Sequence, residues 1–221
     1  MDLKYSMIRD RAEKYLTDYT DDPDIIVDVK DKTKVELKGL APYLSDAESE
    51  LILSTGIFYR RLLDFGGFML HSSAVCVDNK AYLFSAKSGT GKSTHTEQWL
   101  KLFGDKAFII NDDKPAIKIE DGRAYVYGTP WSGKSDLNAD VRVPLQGICV
   151  LERSKENFIE PLDKGIAVYR IMDQTIRPPM ESYMDKLLNL LDFVITNTPV
   201  WRMGCNISTE AAQMAYDAMS K

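Results

Sequence analysis

Cysteine and histidine are both scarce in this chain, with three cysteines (Cys76, Cys149, Cys205) and two histidines (His71, His95) in 221 residues. The cysteines form no C-x-x-C pair and, being odd in number, cannot all pair internally. A disulfide framework is therefore not expected, and a reducing, cytoplasmic setting is. Long apolar runs are missing too. The longest stretch without a polar residue is Phe65 to Leu70, six positions, against the roughly 20 needed to cross a bilayer, so no membrane span is expected. There is no excess of positive charge: 28 Lys and Arg against 33 Asp and Glu leave a net −5, which argues against a nucleic-acid partner held by phosphate contacts. The opening Met1-Asp2-Leu3-Lys4-Tyr5-Ser6 has no apolar core, so no signal peptide is expected.

What is present describes a globular chain. Hydrophobic residues make up 44% and charged residues 28%, which excludes disordered and collagen-like classes. At about 150 residues per domain the length gives one domain with an accessory segment, placed at residues 1–40 and followed by a main domain over 41–221. A chain this long buries about 70% of its unfolded surface and needs no covalent or metal staple.

Local patterns supply the elements. Asp21-Asp22-Pro23-Asp24 reads as a loop ahead of a strand-like Ile25–Val29. Ser45 and Glu48 form a capping-box pattern before Leu51, Phe58, Leu62 and Phe65, which mark one face of a helix ending near Gly66-Gly67. Strands are expected over 68–77 and 80–84, with Asp78-Asn79 as a tight turn, then a helix from Lys92 to Phe103 presenting Trp99 and Phe103 together. Short strands follow at 107–110, 116–119, 124–127 and 147–151, with Asp121-Gly122 as a hairpin turn. A helix near 183–191, a strand near 193–196 and a last helix over 209–219 complete the chain. Adjacent strands in the centre, rather than strict βαβ alternation, predict an α/β domain with a mixed sheet and flanking helices.

The chemistry concentrates in Ala86-Lys87-Ser88-Gly89-Thr90-Gly91-Lys92-Ser93-Thr94, which follows a strand and opens a helix. Glycines let the backbone curl so that its N–H groups converge. The helix N-terminus adds partial positive charge, Lys92 can reach outer phosphates, and the Ser93 hydroxyl can ligate Mg²⁺. Ala86 stands where the usual P-loop begins with Gly. Twenty residues beyond Lys92, Phe108-Ile109-Ile110-Asn111-Asp112-Asp113 is an apolar strand ending in two carboxylates, as a Walker-B element would, on a strand expected beside the P-loop strand. Gly128-Thr129-Pro130-Trp131-Ser132-Gly133-Lys134-Ser135 combines an aromatic, two glycines and a cation. It reads either as a substrate clamp using Trp131 and Lys134, with the glycines permitting movement, or as a connecting loop with one packed Trp.

The run Ser88 to Thr94 together with Ile110-Asn111-Asp112-Asp113 resembles the family of HPr kinase/phosphorylase and phosphoenolpyruvate carboxykinase. His71, in Leu70-His71-Ser72-Ser73, matches a histidine that HPr kinases carry before the P-loop. The similarity spans roughly Phe68 to Leu162. It implies a P-loop fold like the HPr kinase C-terminal domain, use of ATP and Mg²⁺, and γ-phosphoryl transfer to a hydroxyl of a peptide, small protein or metabolite. Ser88, Gly89, Thr90, Gly91, Lys92, Ser93 and Thr94 would hold nucleotide. One Asp would take the acceptor's proton and the other the metal; Asp112 is assigned as base, Asp113 with Ser93 as metal ligands, and Lys92 and His71 as further active-site groups. HPr kinases assemble through this domain, which raises a homo-oligomer as an expectation. The Arg-Gly-Leu-Gly-type signature after the Asp pair is absent and Thr94 stands where those kinases carry Glu, so action on HPr itself and the reverse reaction are not implied. A nucleotide-binding accessory protein and a carboxykinase-like enzyme acting on an organic acid are the alternatives.

Overall fold

In the computed structural model, which describes residues 4–18 and 22–221, a curled mixed sheet carries helices on both faces. The expectations that touch residues 1–3 and 21 lie outside the described residues. The strands are β1 (Gly67–Met69), β2 (Ser72–Val77), β3 (Lys80–Ser85), β4 (Ala107–Asp113), β5 (Ala116–Glu120), β6 (Arg123–Tyr127), β7 (Arg142–Arg153), β8 (Phe158–Pro161) and β9 (Val200–Cys205). The helices are α1 (Ser6–Ala12), α2 (Asp31–Leu40), α3 (Asp46–Leu62), α4 (Lys92–Phe103), α5 (Lys164–Met172), α6 (Glu181–Asn197) and α7 (Thr209–Met219). The strand order is β1-β5-β6-β7-β3-β2-β4, with β9 also on β7 and β8 on β9. The β3–β7 and β7–β9 pairs are parallel, and the other pairings are antiparallel.

Alternation along the central strands builds two cores. Ala74, Cys76, Ala81, Leu83 and Ile148 face α5 and α6, meeting Ile171, Leu187, Leu191 and Val194. Their sequence neighbours Val75, Val77, Tyr82, Phe84 and Cys149 face α4 and α7, meeting Trp99, Ala211 and Ala215. Both faces being covered, these strands read as continuous apolar runs. A third cluster joins Ile8 of α1, Tyr59 and Leu62 of α3, and Trp131.

The local signals act as their chemistry requires. Glu48 N–H donates to Ser45 Oγ at 3.2 Å and Ser45 N–H to Glu48 Oε2 at 2.8 Å, closing the capping box of α3. Asp78 and Asn79 (φ 52° and 57°) and Asp121 and Gly122 (φ 49° and 73°) take the left-handed turns that tight hairpins need.

Four expectations change. The strand over 68–77 breaks at Leu70-His71, because β1 pairs with β5 while β2 pairs with β3 and β4. Residues 193–196 are helical: Leu187, Leu191, Val194 and Ile195 make one buried face of α6, and that packing overrides the β-branched pair's preference. Ile25–Val29 is not one of the sheet's strands, although Val27 and Val29 are buried. The strand bearing the Asp pair does not neighbour the strand before the glycine loop, because β2 lies between β3 and β4.

His95 shows how the α4 face is wired. Its Nε2 accepts the Trp99 indole N–H at 3.2 Å, and Cys205 Sγ lies 3.8 Å from Nδ1. Burial lowers its pKa from 6.5 to about 4. Between those values the unfolded chain binds the extra proton and the folded one does not, so stability present above pH 6.5 is lost as pH falls towards 4, by at most about 3 kcal/mol. The Tm advantage of the wild type over His95→Gln should therefore shrink between pH 7 and pH 4.5. A constant difference would show that His95 is not held neutral.

Candidate functional site

Register places the site. Ser72 pairs with Ser85 at the end of β3 and with Asp113 at the end of β4, and Ser73 pairs with Asp112. The glycine loop after β3, His71 just before β2 and the carboxylates closing β4 thus share one edge of the sheet. There they line a cleft of about 610 Å³ with Ser88, Gly89, Gly91, Lys92, Ser93, Thr94 and Lys134. Thr90 turns to the other side of the loop, and Trp131 is not at the cleft.

Gly89 (φ 77°) and Gly91 (φ 120°) adopt backbone conformations that side chains resist, and α4 begins at Lys92 directly after them. Lys92 is 9% exposed and its Nζ donates to the Ala86 carbonyl at 3.0 Å. Burial lowers its pKa, opposed by the charges of Asp113 and Asp112. Ser93 at the mouth of the loop is exposed. Ser73 and Thr96 hydroxyls, 2.7 Å apart, tie α4 to β2 beneath the loop.

Asp113 is held by two bases. His71 Nε2 lies 3.1 Å from Asp113 Oδ1, and the Lys114 ammonium meets Oδ2. Burial alone would raise the Asp113 pKa, but the hydrogen bond from His71 and the charge of Lys114 outweigh it and bring it down to about 2. An ionised carboxylate can only accept, so Nε2 carries the proton of that bond. The other ring nitrogen, Nδ1, lies 3.0 Å from the Gln174 side-chain amide oxygen, and the His71 N–H donates to the Gln174 carbonyl at 2.7 Å. Gln174 therefore fixes His71 from outside the family-like segment, and no motif in the sequence pointed to it.

Asp112 is 6% exposed and accepts from Ser135 Oγ at 2.8 Å. Residues 132–138 run along β4: Gly133 N–H donates to the Asp112 carbonyl at 2.9 Å, Asp112 N–H to the Leu137 carbonyl at 2.9 Å, and Asp113 bridges Ser132. A Cβ on Gly133 would meet the Asp112 carbonyl at 2.6 Å, and one on Gly128 would meet the Ala139 carbonyl at 1.7 Å. These glycines permit close backbone approach. The segment expected to move is hydrogen-bonded along β4 by these contacts. The N-terminal segment pins it further, with Arg11 Nη1 donating to the Ser132 carbonyl at 3.0 Å and Tyr15 Oη to Asn138 Oδ1 at 2.6 Å. Lys134 is exposed within this segment, at the cleft.

Trp131 is a core residue, 1% exposed. It stacks on Phe58 with centroids 4.5 Å apart, and its Nε1 donates to Ser54 Oγ at 3.1 Å. The substrate-platform reading is replaced by the packed one, because α3 already covers the ring. Arg153 at the end of β7 adds a contact: its guanidinium donates to the Gly89 and Thr90 carbonyls of the glycine loop. Arg202 instead pairs with Glu152 and Glu160, and Arg177 with Asp173.

No protein-family model matches the chain, and no curated protein sequence does. Among solved structures it is similar to the Hpr(Ser) kinase/phosphatase from Coxiella burnetii, with a TM-score of 0.35 and 15% identity, covering 68% of this chain and 95% of that one. Among the described residues, no helix is long and apolar enough to cross a membrane.

Proposed function

We propose that this protein is an ATP- and Mg²⁺-dependent kinase of the HPr-kinase-like type, transferring the γ-phosphoryl group to a hydroxyl of a peptide serine, a small protein or a small metabolite. The observation that carries the reading is the convergence of the glycine loop, Lys92, Asp112, Asp113 and His71 on one cleft. Phosphoryl transfer asks for little covalent chemistry from the protein. It asks for positioning and for charge neutralisation around the transferred group.

Among the described residues no group of three or more His, Cys, Asp or Glu side chains could hold a metal alone. Asp113 and Ser93, which both line the cleft, fit Mg²⁺ bound together with a nucleotide, which needs one or two carboxylates and takes its remaining ligands from phosphates and water. Asp113 and the Ser93 hydroxyl would hold the ion, which when bound would neutralise phosphate charge. The low pKa of Asp113 favours this role over proton acceptance, since a general base works best with a pKa near the working pH. Asp112, with Ser135 orienting one oxygen, is left as the proton acceptor. Lys134 at the cleft mouth would meet the transferred phosphate or an anionic acceptor.

Lys92→Ala tests the phosphate site. Although Lys92 is buried, its ammonium bonds only one loop carbonyl, so the variant should fold. Titration calorimetry should show Mg·ATP binding weakened at least about tenfold, as for loss of a charge-assisted contact to phosphate. Unchanged affinity in a folded variant would remove the phosphate-site assignment.

A further inference from the structure

We propose that Arg11, in the N-terminal segment, is a positioning residue of the cleft, an inference that rests on the kinase reading above. It clamps the base of a turn whose tip holds Ser135 on Asp112 and Lys134 at the cleft. Gly133 and Asp136 close that turn, the Asp136 N–H donating to the Gly133 carbonyl at 3.2 Å. Lys134 and Ser135 lie between them, and both line the cleft. The Ser135 hydroxyl donates to Asp112 Oδ2 at 2.8 Å. The turn therefore presents a cation to the cleft and orients the carboxylate assigned as proton acceptor.

Such a turn needs support from outside. Lys134 and Ser135 are exposed, so core packing does not fix them. Asp136 takes a left-handed backbone conformation (φ 51°), which a side chain resists. The support gathers at the base. Asp136 Oδ1 accepts from the Ser132 hydroxyl at 2.7 Å and from the Asn138 side-chain amide at 3.0 Å. Arg11 Nε lies 3.3 Å from the same oxygen, while Arg11 Nη1 donates to the Ser132 carbonyl at 3.0 Å. One guanidinium thus grips both ends of the base, a two-point hold that its planar fork supplies and a single ammonium does not. Arg11 is itself well placed to do this. Its side chain is only 18% exposed, which limits screening of the ion pair. Ile8, one turn earlier on α1, is buried in a cluster with Tyr59 and Trp131. Arg9 on the same helix is 63% exposed and pairs with Asp10 instead.

Arg11→Met keeps the apolar stem and removes the fork. In hydrogen exchange read by mass spectrometry without nucleotide, a peptide spanning 132–138 should exchange about tenfold faster in this variant, with α4 unchanged. With Mg·ATP, and water as the acceptor, kcat should fall about tenfold while Mg·ATP affinity stays within about twofold. Ser135→Ala should lose about as much, and the double variant should lose no more than either alone, whereas independent losses would multiply to about a hundredfold. Arg9→Ala should match the wild type in both measurements. Asp136→Asn removes the charge that Arg11 meets, so it should also speed exchange over 132–138, and it keeps the test open if Arg11→Met does not fold. Unchanged exchange in a folded variant, or losses that multiply, would overturn the inference and leave the kinase reading standing. A wild type that binds Mg·ATP and does not turn it over would overturn the kinase reading, and with it the role assigned to Arg11.

Discussion

Asp112→Asn should reduce Mg-dependent ATP turnover, measured with water or an added hydroxyl acceptor, by roughly 10²-fold or more while Mg·ATP affinity stays within a few-fold. The substitution is nearly isosteric, and the amide oxygen can still accept from Ser135, whose hydroxyl lies 2.8 Å from the carboxylate. The β4 backbone bonds to Gly133 and Leu137 do not involve the side chain, so the site should keep its shape and lose only the proton acceptor. Asp113→Asn should behave differently. It removes the charge that His71 and Lys114 both engage, and it should raise the Mg²⁺ concentration needed for half-maximal turnover. Exchanged phenotypes would reverse the two roles. Negligible effects from both variants would end the catalytic reading and favour a protein that binds nucleotide without transferring from it.

Trp131→Ala should be the most damaging single truncation near the site for stability. Large-to-small changes at buried Trp cost about 3–5 kcal/mol through lost burial and the cavity left behind. In a chain of this size that lowers Tm by about 6–20 °C. The ring lies 4.5 Å from Phe58 and 5.6 Å from Tyr59, centroid to centroid, and its removal also takes the indole donor from Ser54 Oγ, which keeps its bond to the Leu51 carbonyl. Tyr59 in turn bonds Thr129 and the Lys114 carbonyl, which links this cluster to the residue beside Asp113. Trp131→Phe should retain more than half of the lost stability, because the stacking surface survives without the indole N–H. A Tm change under about 2 °C for Trp131→Ala would contradict a core role and return the ring to the substrate side.

Much of the site was legible in the chain because its parts are local. Positive-φ glycines, a helix start at Lys92 and a strand ending in two carboxylates are each written in a few consecutive residues, and the structure has α4 at Lys92–Phe103 and β4 ending at Asp113. The hairpin turns at Asp78-Asn79 and Asp121-Gly122, the Ser45 capping box and α7 at Thr209–Met219 were legible for the same reason. Fold class followed from the mixture of such segments. By contrast, β9 was not legible. Its Arg202 and Gly204 interrupt the apolar pattern, and Gly204 makes sense only beside Phe158 of β8, whose ring a Cβ there would meet at 2.2 Å.

What tertiary structure alone decided are the relations between distant segments. The interposition of β2 between β3 and β4 brings His71 to Asp113, and sequence spacing carries no information on which strand lies between two others. Gln174 reaches His71 across 103 positions and Arg11 reaches Ser132 across 121, contacts that only the packed chain can specify. Trp131 and Lys134 sit three residues apart in one loop, yet one is a core residue and the other lies at the cleft mouth. The residues alone show that this loop holds an aromatic and a cation. Which of them faces the cleft depended on α3 supplying Ser54, Phe58 and Tyr59 to bury the indole, since burial is a property of the surroundings that a residue meets and not of the residue.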